Sequence, residues 1–201
     1  IQMPGREERL NEKLVKDMPQ LVDTLAQEIS AVSKKPFAFF GHSMGAIVAY
    51  ETARRLTAMG VNKPAHLFVS ARAVPHLQKN TDLLRFLDDE AFVDKLQATY
   101  GAVPEAVRQN PEVRKIFLPI LRADVELLET YDETSSEPLD LPITALGGIS
   151  DPAISRAQLE GWQARTNAKF TYHEFPGDHF YIDEEREAVM AAIKNDLSHN
   201  L

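Results

Sequence analysis

Two patterns of apolar residues alternate along most of the chain. Four short runs are typical of strands, and the first of them is apolar without polar alternation, as expected for a strand that is buried on both faces of a sheet. We interpret the other three as buried strands of the same kind. Between these four runs, apolar residues recur at intervals of three and four, which predicts helices with one apolar face. The predicted strands are Phe37–Phe40, His66–Ser70, Pro142–Leu146 and Phe170–Phe175, and the helices outside the longest intervening stretch are Asn11–Ser30, Ala46–Met59 and Glu184–Leu197. This alternation predicts a mostly parallel, doubly wound α/β sheet.

A long helical stretch, approximately residues 81–131, separates the second predicted strand from the third. It is much longer than the ~10 to 15 residues of an ordinary crossover helix, and we interpret it as an inserted helical lid. A length of 201 residues suits one domain, residues 1–201, that contains this lid. The helices predicted in the lid are Asp89–Tyr100, Pro104–Asn110 and Pro111–Tyr131, with a hinge at Gly101 and Pro104 and an interruption at Pro119.

The composition excludes several classes of protein. A net charge of -8 argues against a nucleic-acid binder, because nonspecific affinity for phosphates comes from clustered Lys and Arg. The chain has no cysteine, which excludes disulfides, thiolate metal sites and a cysteine nucleophile. No apolar run approaches the ~20 residues that span a bilayer, and the first residues lack the layout of a secretory signal. We therefore expect a cytoplasmic protein without nucleic-acid or membrane partners.

The residues Gly41-His42-Ser43-Met44-Gly45 match the motif G-x-S-x-G. In this motif, small flanking residues let the chain turn sharply enough to hold the serine hydroxyl above the edge of a sheet. A predicted buried strand precedes the motif and an amphipathic helix follows it, which is the context that the motif requires. The alternative is a serine that caps a helix, but capping leaves the two glycines unexplained. We therefore predict an α/β-hydrolase fold with Ser43 as the nucleophile.

A serine nucleophile needs a base, and His179 is the best candidate among the six histidines. It follows a predicted strand and a Pro-Gly-Asp turn and precedes the last helix, where this fold carries its base on a loop. His42 adjoins Ser43, but neighbouring side chains diverge at a turn, so we expect its ring to pack beside the strand or line the pocket entrance. The remaining histidines occupy positions that favour structural or surface roles: His66, His173, His76 and His199.

The carboxylate that orients the base is expected after a strand that lies between the serine and the histidine in the sequence. Asp151 stands just past the third predicted strand and a pair of glycines, so the order Ser43, Asp151, His179 fits. Asp178 is the rival candidate. A residue adjacent to His179 would reach its Nδ1–H only by distorting the loop, which favours Asp151.

The predicted chemistry also needs two backbone donors for the tetrahedral oxyanion. The N–H of Met44, at the amino terminus of the helix that follows Ser43, is one predicted donor. The second donor is expected on a loop after an earlier strand, and this sequence has no such loop. We therefore expect the sequence to be truncated at its amino terminus, with the first strands and the second donor in the missing segment.

Motifs spread along the chain resemble those of the type II thioesterases that serve nonribosomal peptide and polyketide synthases. Residues 3–10 resemble the family's P-G-R-x-x-R segment, residues 41–45 its G-H-S-M-G elbow, and residues 118–124 its L-P-x-L-R-A-D lid signature. Residues 147–152 and 177–180 are similar to the segments that carry the family's catalytic acid and base. The resemblance spans nearly the whole chain.

The resemblance implies a substrate class and a partner. The substrate would be an acyl thioester on the 4'-phosphopantetheine arm of an acyl carrier or peptidyl carrier domain of a synthase. The reaction would release unwanted acyl groups and restore the free thiol, and the lid would shape the acyl pocket. No cofactor and no metal is implied. Relatives carry the second oxyanion donor on an upstream loop, which agrees with the expected truncation.

Other functions fit the same residues. A fatty-acid-synthase thioesterase for medium-chain acyl groups is a close variant. A carboxylesterase or lipase that acts on small esters is the runner-up, because the same triad serves both leaving groups. A non-catalytic binding module is less favoured, since no triad residue is lost.

Basic residues of the predicted lid have two interpretations. They meet an acidic carrier domain, or they are ordinary charges on solvated helix faces. For Arg122 a third interpretation is a structural position near Asp124. The residues concerned are Arg108, Arg114, Lys115 and Arg122.

Overall fold

Four parallel strands form the sheet that positions the candidate site. The structure, a computed structural model, describes residues 1–77, 83–133 and 135–198. In the register of the sheet, Leu67 lies opposite both Phe39 and Ile143, and Ile143 also lies opposite Phe170. The predicted parallel sheet is confirmed, and the carboxyl ends of its strands share one edge. The strands, in their order across the sheet, are β1 (Phe39–His42), β2 (Leu67–Ser70), β3 (Ile143–Gly148) and β4 (Phe170–Phe175).

Helices connect and flank these strands. Within the described ranges, none of them combines the length and the apolarity needed to cross a bilayer. Short 3-10 turns lie at Glu7–Arg9, Pro75–Leu77, Leu84–Phe86 and Gly161–Arg165. The α-helices are α1 (Met18–Val32), α2 (Met44–Ala58), α3 (Asp89–Tyr100), α4 (Glu105–Gln109), α5 (Pro111–Glu129), α6 (Arg156–Glu160), α7 (Tyr181–Glu184) and α8 (Arg186–Ser198).

The chain divides into two compact units. The helical unit comprises Ile1–Leu21 and Asn80–Asp132, and the sheet unit comprises Val22–Lys79 and Glu133–Leu201. The helical unit contains α3 to α5 of the predicted lid and has its own core, in which Phe92, Leu96 and Leu118 pack. The sheet unit has a separate core that includes Phe68, Leu146, Phe175, Tyr181 and Val189. A single domain with a lid at residues 81–131 stays a prediction, and residues 81 and 82 lie outside the described residues.

Two prolines affect the helices less than the sequence suggests. We expected the first helix to begin near Asn11, but α1 begins at Met18, after Asp17 accepts a hydrogen bond from the N–H of Gln20. Pro19 therefore lies in the first turn, where a missing N–H costs nothing. Pro119 lies inside α5, which continues without a break to Glu129.

The first strand differs most from its prediction. It covers Phe39–His42 instead of Phe37–Phe40, so the ladder continues to the residue before Ser43. We expected this strand to be buried on both faces, and this expectation is wrong for Phe40, which is 44% exposed. Among the described strands, β1 and β4 each have a neighbour on one side only, and the expectation of a buried strand is also wrong for β4, in which only Phe175 is buried. By contrast, every residue of β2 and β3 is buried.

Candidate active site

Ser43 occupies the turn between β1 and α2. Its backbone has φ 52° and ψ -118°, a conformation that a non-glycine residue adopts only at a cost of about 1–3 kcal/mol. The turn is held by the N–H of Ser43, which donates to the carbonyl oxygen of Ser70 at 2.8 Å. A Cβ atom on Gly41 would lie 2.1 Å from the carbonyl oxygen of Gly45, so only glycine fits at position 41. The motif thus presents the hydroxyl at the carboxyl end of β1.

Two hydrogen bonds link Ser43, His179 and Asp151. Nε2 of His179 is 3.0 Å from Oγ of Ser43, and Nδ1 of His179 is 2.8 Å from Oδ2 of Asp151. Only 1% of the side chain of His179 and 1% of that of Asp151 are exposed. Because an ionised carboxylate only accepts, Nδ1 of His179 carries the proton and Nε2 is left to accept from the hydroxyl. This arrangement can take a proton from the hydroxyl of Ser43.

The backbone fixes both the acid and the base. The other carboxylate oxygen of Asp151 accepts hydrogen bonds from the N–H groups of Ala153, at 2.8 Å, and Ile154, at 3.2 Å. The loop of Asp151 meets the turn before His179 directly, since the N–H of Ser150 donates to the carbonyl oxygen of Gly177 at 2.9 Å. The orientation of the carboxylate is therefore set by the main chain.

Gly148 allows these two loops to approach each other, and sequence reasoning missed this role. A Cβ atom at this position would lie 2.2 Å from the carbonyl oxygen of Asp178 and 2.7 Å from that of Gly177. The end of β3 and the turn that carries His179 are therefore packed backbone to backbone. The signal in the sequence was the glycine pair at positions 147 and 148, which ends three residues before the predicted acid.

The rival residues have other partners. Oδ1 of Asp178 accepts from the N–H of Phe180 at 2.9 Å, so this carboxylate caps its own turn. His66, which is buried, and His173, which is partly exposed, both contact a polar pair in which Thr144 donates to Asp196 at 2.9 Å. His76 accepts from Arg165 at 3.0 Å, and His199 lies outside the described residues.

Met44 is the first residue of α2. The first N–H groups of a helix have no acceptor within the helix and carry a partial positive charge. The backbone N–H of Met44 therefore has the polarity that a donor to an oxyanion beside Ser43 needs, and its role as a donor stays a prediction. The second donor, which we expected on an upstream segment, stays a prediction.

His42 packs beside the strand end, as expected, and belongs to a network that the sequence did not reveal. Its Nδ1 lies 2.9 Å from Oγ of Ser70, which in turn lies 2.7 Å from the hydroxyl oxygen of Tyr181. Burial, followed by the neighbouring His179, lowers the pKa of His42 to about 4. Its ring therefore stays neutral near pH 7.

Basic residues of the helical unit are engaged within that unit. Arg114 pairs with Glu90, and Nη2 of Arg122 pairs with Asp89 at 2.6 Å. The structural interpretation of Arg122 is supported, but its ion pair is with Asp89 instead of Asp124. Its guanidinium also donates to the carbonyl oxygen of Leu87 and covers the ring of Phe92.

The carboxylate of Asp124 pairs instead with Arg6. Burial raises the pKa of Asp124, although Arg6 opposes this shift. This pair joins two of the motifs on which the family resemblance rests.

Comparison with known proteins identifies similar chains. A family model described as "Thioesterase domain" matches residues 1–197. The gramicidin S biosynthesis protein GrsT of Aneurinibacillus migulanus is 39% identical, over 92% of this chain and 72% of that protein. The thioesterase PikA5 of Streptomyces venezuelae is 34% identical, over 100% of this chain and 70% of that protein. The solved structure of the type II thioesterase BorB, from the borrelidin biosynthetic cluster, matches with a TM-score of 0.85 at 36% identity, over 96% of this chain and 78% of that chain.

Proposed function

This chain belongs to the thioesterase family and has the α/β-hydrolase fold, and from this premise we propose that Ser43, His179 and Asp151 are its catalytic triad. The observation that carries the proposal is the pair of hydrogen bonds from Asp151 through His179 to Ser43. Three separate segments, which follow β1, β3 and β4, supply these residues. Their buried convergence at one edge of the sheet is the geometry that nucleophilic acyl transfer requires.

The reaction proceeds in two halves. Oγ of Ser43 attacks the carbonyl carbon of the acyl group while Nε2 of His179 takes the hydroxyl proton. The tetrahedral oxyanion is stabilised by the N–H of Met44 at the start of α2. When the intermediate collapses, the C–S bond breaks and His179 gives its proton to the departing thiolate.

Water then attacks the acyl group on Ser43 and gives a proton to His179, which returns it to Oγ as the acid leaves. Asp151 keeps the proton of His179 on Nδ1 and stabilises the imidazolium in both halves.

The proposed substrate is an acyl group carried by the phosphopantetheine arm of an acyl carrier or peptidyl carrier domain. Hydrolysis frees the thiol of the arm, so the enzyme clears unwanted acyl groups from a synthase. The similarity to GrsT, PikA5 and BorB supports this proposal, because GrsT is named for the biosynthesis of gramicidin S, PikA5 is named a thioesterase, and BorB is described as a type II thioesterase from the borrelidin biosynthetic cluster. The chain itself needs no cofactor for these steps, and the proposed site of action is the cytoplasm.

One assay distinguishes this function from its alternatives. The full-length protein and its Ser43→Ala variant are compared on acyl-pantetheine thioesters, carrier-bound acyl groups and simple esters. We expect carrier-bound thioesters to be hydrolysed fastest and Ser43→Ala to lower kcat at least about 10³-fold. Faster hydrolysis of simple esters would favour an esterase, and preference for free medium-chain thioesters a fatty-acid-synthase type enzyme. Equal rates for both proteins would contradict any catalytic role.

A matched pair of substitutions tests the choice of acid. Asp151→Asn removes the charge that holds the tautomer of His179, and we expect kcat to fall by about 10²–10⁴-fold. Asp178→Asn keeps an oxygen that accepts from the N–H of Phe180, so we expect kcat to stay within about 3-fold of the wild type. The assignment is wrong if Asp178→Asn is the more damaging of the two.

A further inference from the structure

Two aromatic rings pack against the imidazole of His179. The centroid of the His42 ring is 5.3 Å away with an interplanar angle of 59°, and that of the Phe180 ring is 5.2 Å away with an angle of 83°. His42 and Phe180 also contact each other, with centroids 5.7 Å apart. The three rings form a triangle, so the imidazole of His179 can rotate out of its plane only if a neighbouring ring moves.

His42 is itself held by two buried hydroxyl groups. It shares a hydrogen bond with Ser70, its register partner on β2, and Ser70 shares one with Tyr181. Ser70 is 0% and Tyr181 1% exposed, and the ring of Tyr181 stacks on that of Phe175 with centroids 5.4 Å apart. Tyr181 follows His179 by two residues. The contacts therefore form a closed path from the residue before the nucleophile back to the turn of the base.

The members of this path stay uncharged while His179 changes its charge. Burial and the nearby His179 hold the pKa of His42 at about 4, against the opposing effect of Asp151. Burial also raises the pKa of Tyr181 well above its usual range, with Ser70 opposing and Asp151 reinforcing the shift. Between about pH 5 and 10 both groups are neutral, so neither places a second full charge beside the imidazolium.

We propose that His42, held by Ser70 and Tyr181, is a positioning residue that keeps Nε2 of His179 aimed at Oγ of Ser43. The inference rests on the proposed function, because it takes His179 as the base. His42 does not itself lie on the proton path. Its Nδ1 shares a hydrogen bond with Ser70, and its Nε2 is buried with no hydrogen-bond partner among the described residues.

Three substitutions interrupt the path at different points. Tyr181→Phe keeps the ring stacked on Phe175, Ser70→Ala removes the shared hydroxyl, and His42→Phe keeps a ring beside His179 without its hydrogen bond. A fluorophosphonate probe reports the Ser43–His179 pair whatever the natural substrate is. Oγ of Ser43 bonds to phosphorus, the P–F bond breaks, fluoride leaves and His179 takes the hydroxyl proton.

We expect each variant to lower the rate of phosphonylation and the kcat for acyl-pantetheine hydrolysis by about 10- to 100-fold per active site. KM should stay within about 3-fold, because substrate contacts are unchanged. The double variant Ser70→Ala/His42→Phe should react no more slowly than His42→Phe alone, since both changes break one path. When the rate of phosphonylation is plotted against pH, its acidic midpoint should be the same in His42→Phe as in the wild type, because the substitution replaces one neutral ring with another.

The control is His173→Gln, which alters a hydrogen bond to Asp196 and should leave the rate per active site unchanged. Wild-type rates per active site in all three path variants, with only a lower Tm, would overturn the inference. So would independent, multiplicative losses in the double variant, or a shifted acidic midpoint in His42→Phe. Rapid phosphonylation of a wild-type protein that does not hydrolyse thioesters would contradict the proposed substrate class and leave this test intact.

Discussion

At the scale of single residues, the histidines show that environment decides the role. His179 lies between a carboxylate and a hydroxyl, whereas His66 is buried against Thr144 and stacks on Phe68. Burial lowers the pKa of His66 to about 4; Asp196 opposes this shift and Lys169 adds to it. A neutral, buried imidazole of this kind stabilises the fold only while it remains unprotonated.

The lowered pKa of His66 predicts a dependence of stability on pH. The folded pKa lies below the unfolded value of about 6.5, so stability is fully present above that value and is lost as pH falls towards 4. We expect the free energy of unfolding to fall by about 2 kcal/mol more in the wild type than in His66→Gln between pH 7 and pH 5. Urea unfolding measures the difference, with pH 8 to 9 as a control interval in which the two proteins should change alike. The prediction is contradicted if the free energy of unfolding depends on pH in the same way in both proteins below pH 7.

At the scale of elements, the two glycines that flank the turn between β1 and α2 are not equally restricted by their surroundings. Sequence reasoning treated Gly41 and Gly45 as equivalent spacers. A Cβ atom on Gly41 would meet three backbone atoms within 2.7 Å, whereas one on Gly45 would meet nothing within 4 Å. Only Gly41 lets the end of β1 pass close to the first turn of α2.

A matched pair of alanine substitutions tests this difference. Gly41→Ala should reduce the free energy of unfolding by about 2–4 kcal/mol, because backbone atoms must move to admit the methyl group. Gly45→Ala lies in α2 and should leave it unchanged or raise it by up to about 1 kcal/mol. Chemical denaturation of the two variants measures both values. Equal losses would show that the close approach at Gly41 is not what restricts the motif.

At the scale of the whole molecule, a buried ion pair ties distant parts of the sheet unit together. Arg165 binds Glu133 with two hydrogen bonds of 2.7 Å and also donates to His76 at 3.0 Å. The side chains of Arg165 and Glu133 are only 7% and 14% exposed. In the sequence, His76 and Glu133 flank the segment that belongs to the helical unit. Arg165 therefore anchors both chain segments where they leave and re-enter the sheet unit.

Replacing one partner of this ion pair should lower the free energy of unfolding more than replacing both partners. Arg165→Met leaves the carboxylate of Glu133 buried without a cation, and we expect a loss of about 3–5 kcal/mol in the free energy of unfolding. The double variant Glu133→Gln/Arg165→Met removes both charges and should lose less than Arg165→Met alone. Denaturant unfolding of the single and double variants provides the comparison. Additive losses would mean that the pair is not coupled.

Local patterns in the sequence determined the strands, the order of the elements and the position of Ser43. Apolar periodicity and the G-x-S-x-G motif act within a few residues, so they can be recognised before the fold is known. Chain order also selected Asp151 and His179, although only as candidates. Their meeting with Ser43 was decided by the tertiary structure, because Ser43 and His179 are 136 residues apart and no periodic signal records such a contact.

The same reason explains what sequence reasoning missed. The bond between Ser70 and Tyr181 joins residues 111 positions apart, and the contact of Gly148 with the turn of Asp178 arises only when β3 and β4 lie side by side. Sequence therefore determined which groups were available for chemistry. Only the order of strands in the sheet, together with the backbone packing of its loops, decided which of those groups touch, since both depend on interactions between segments distant in the chain.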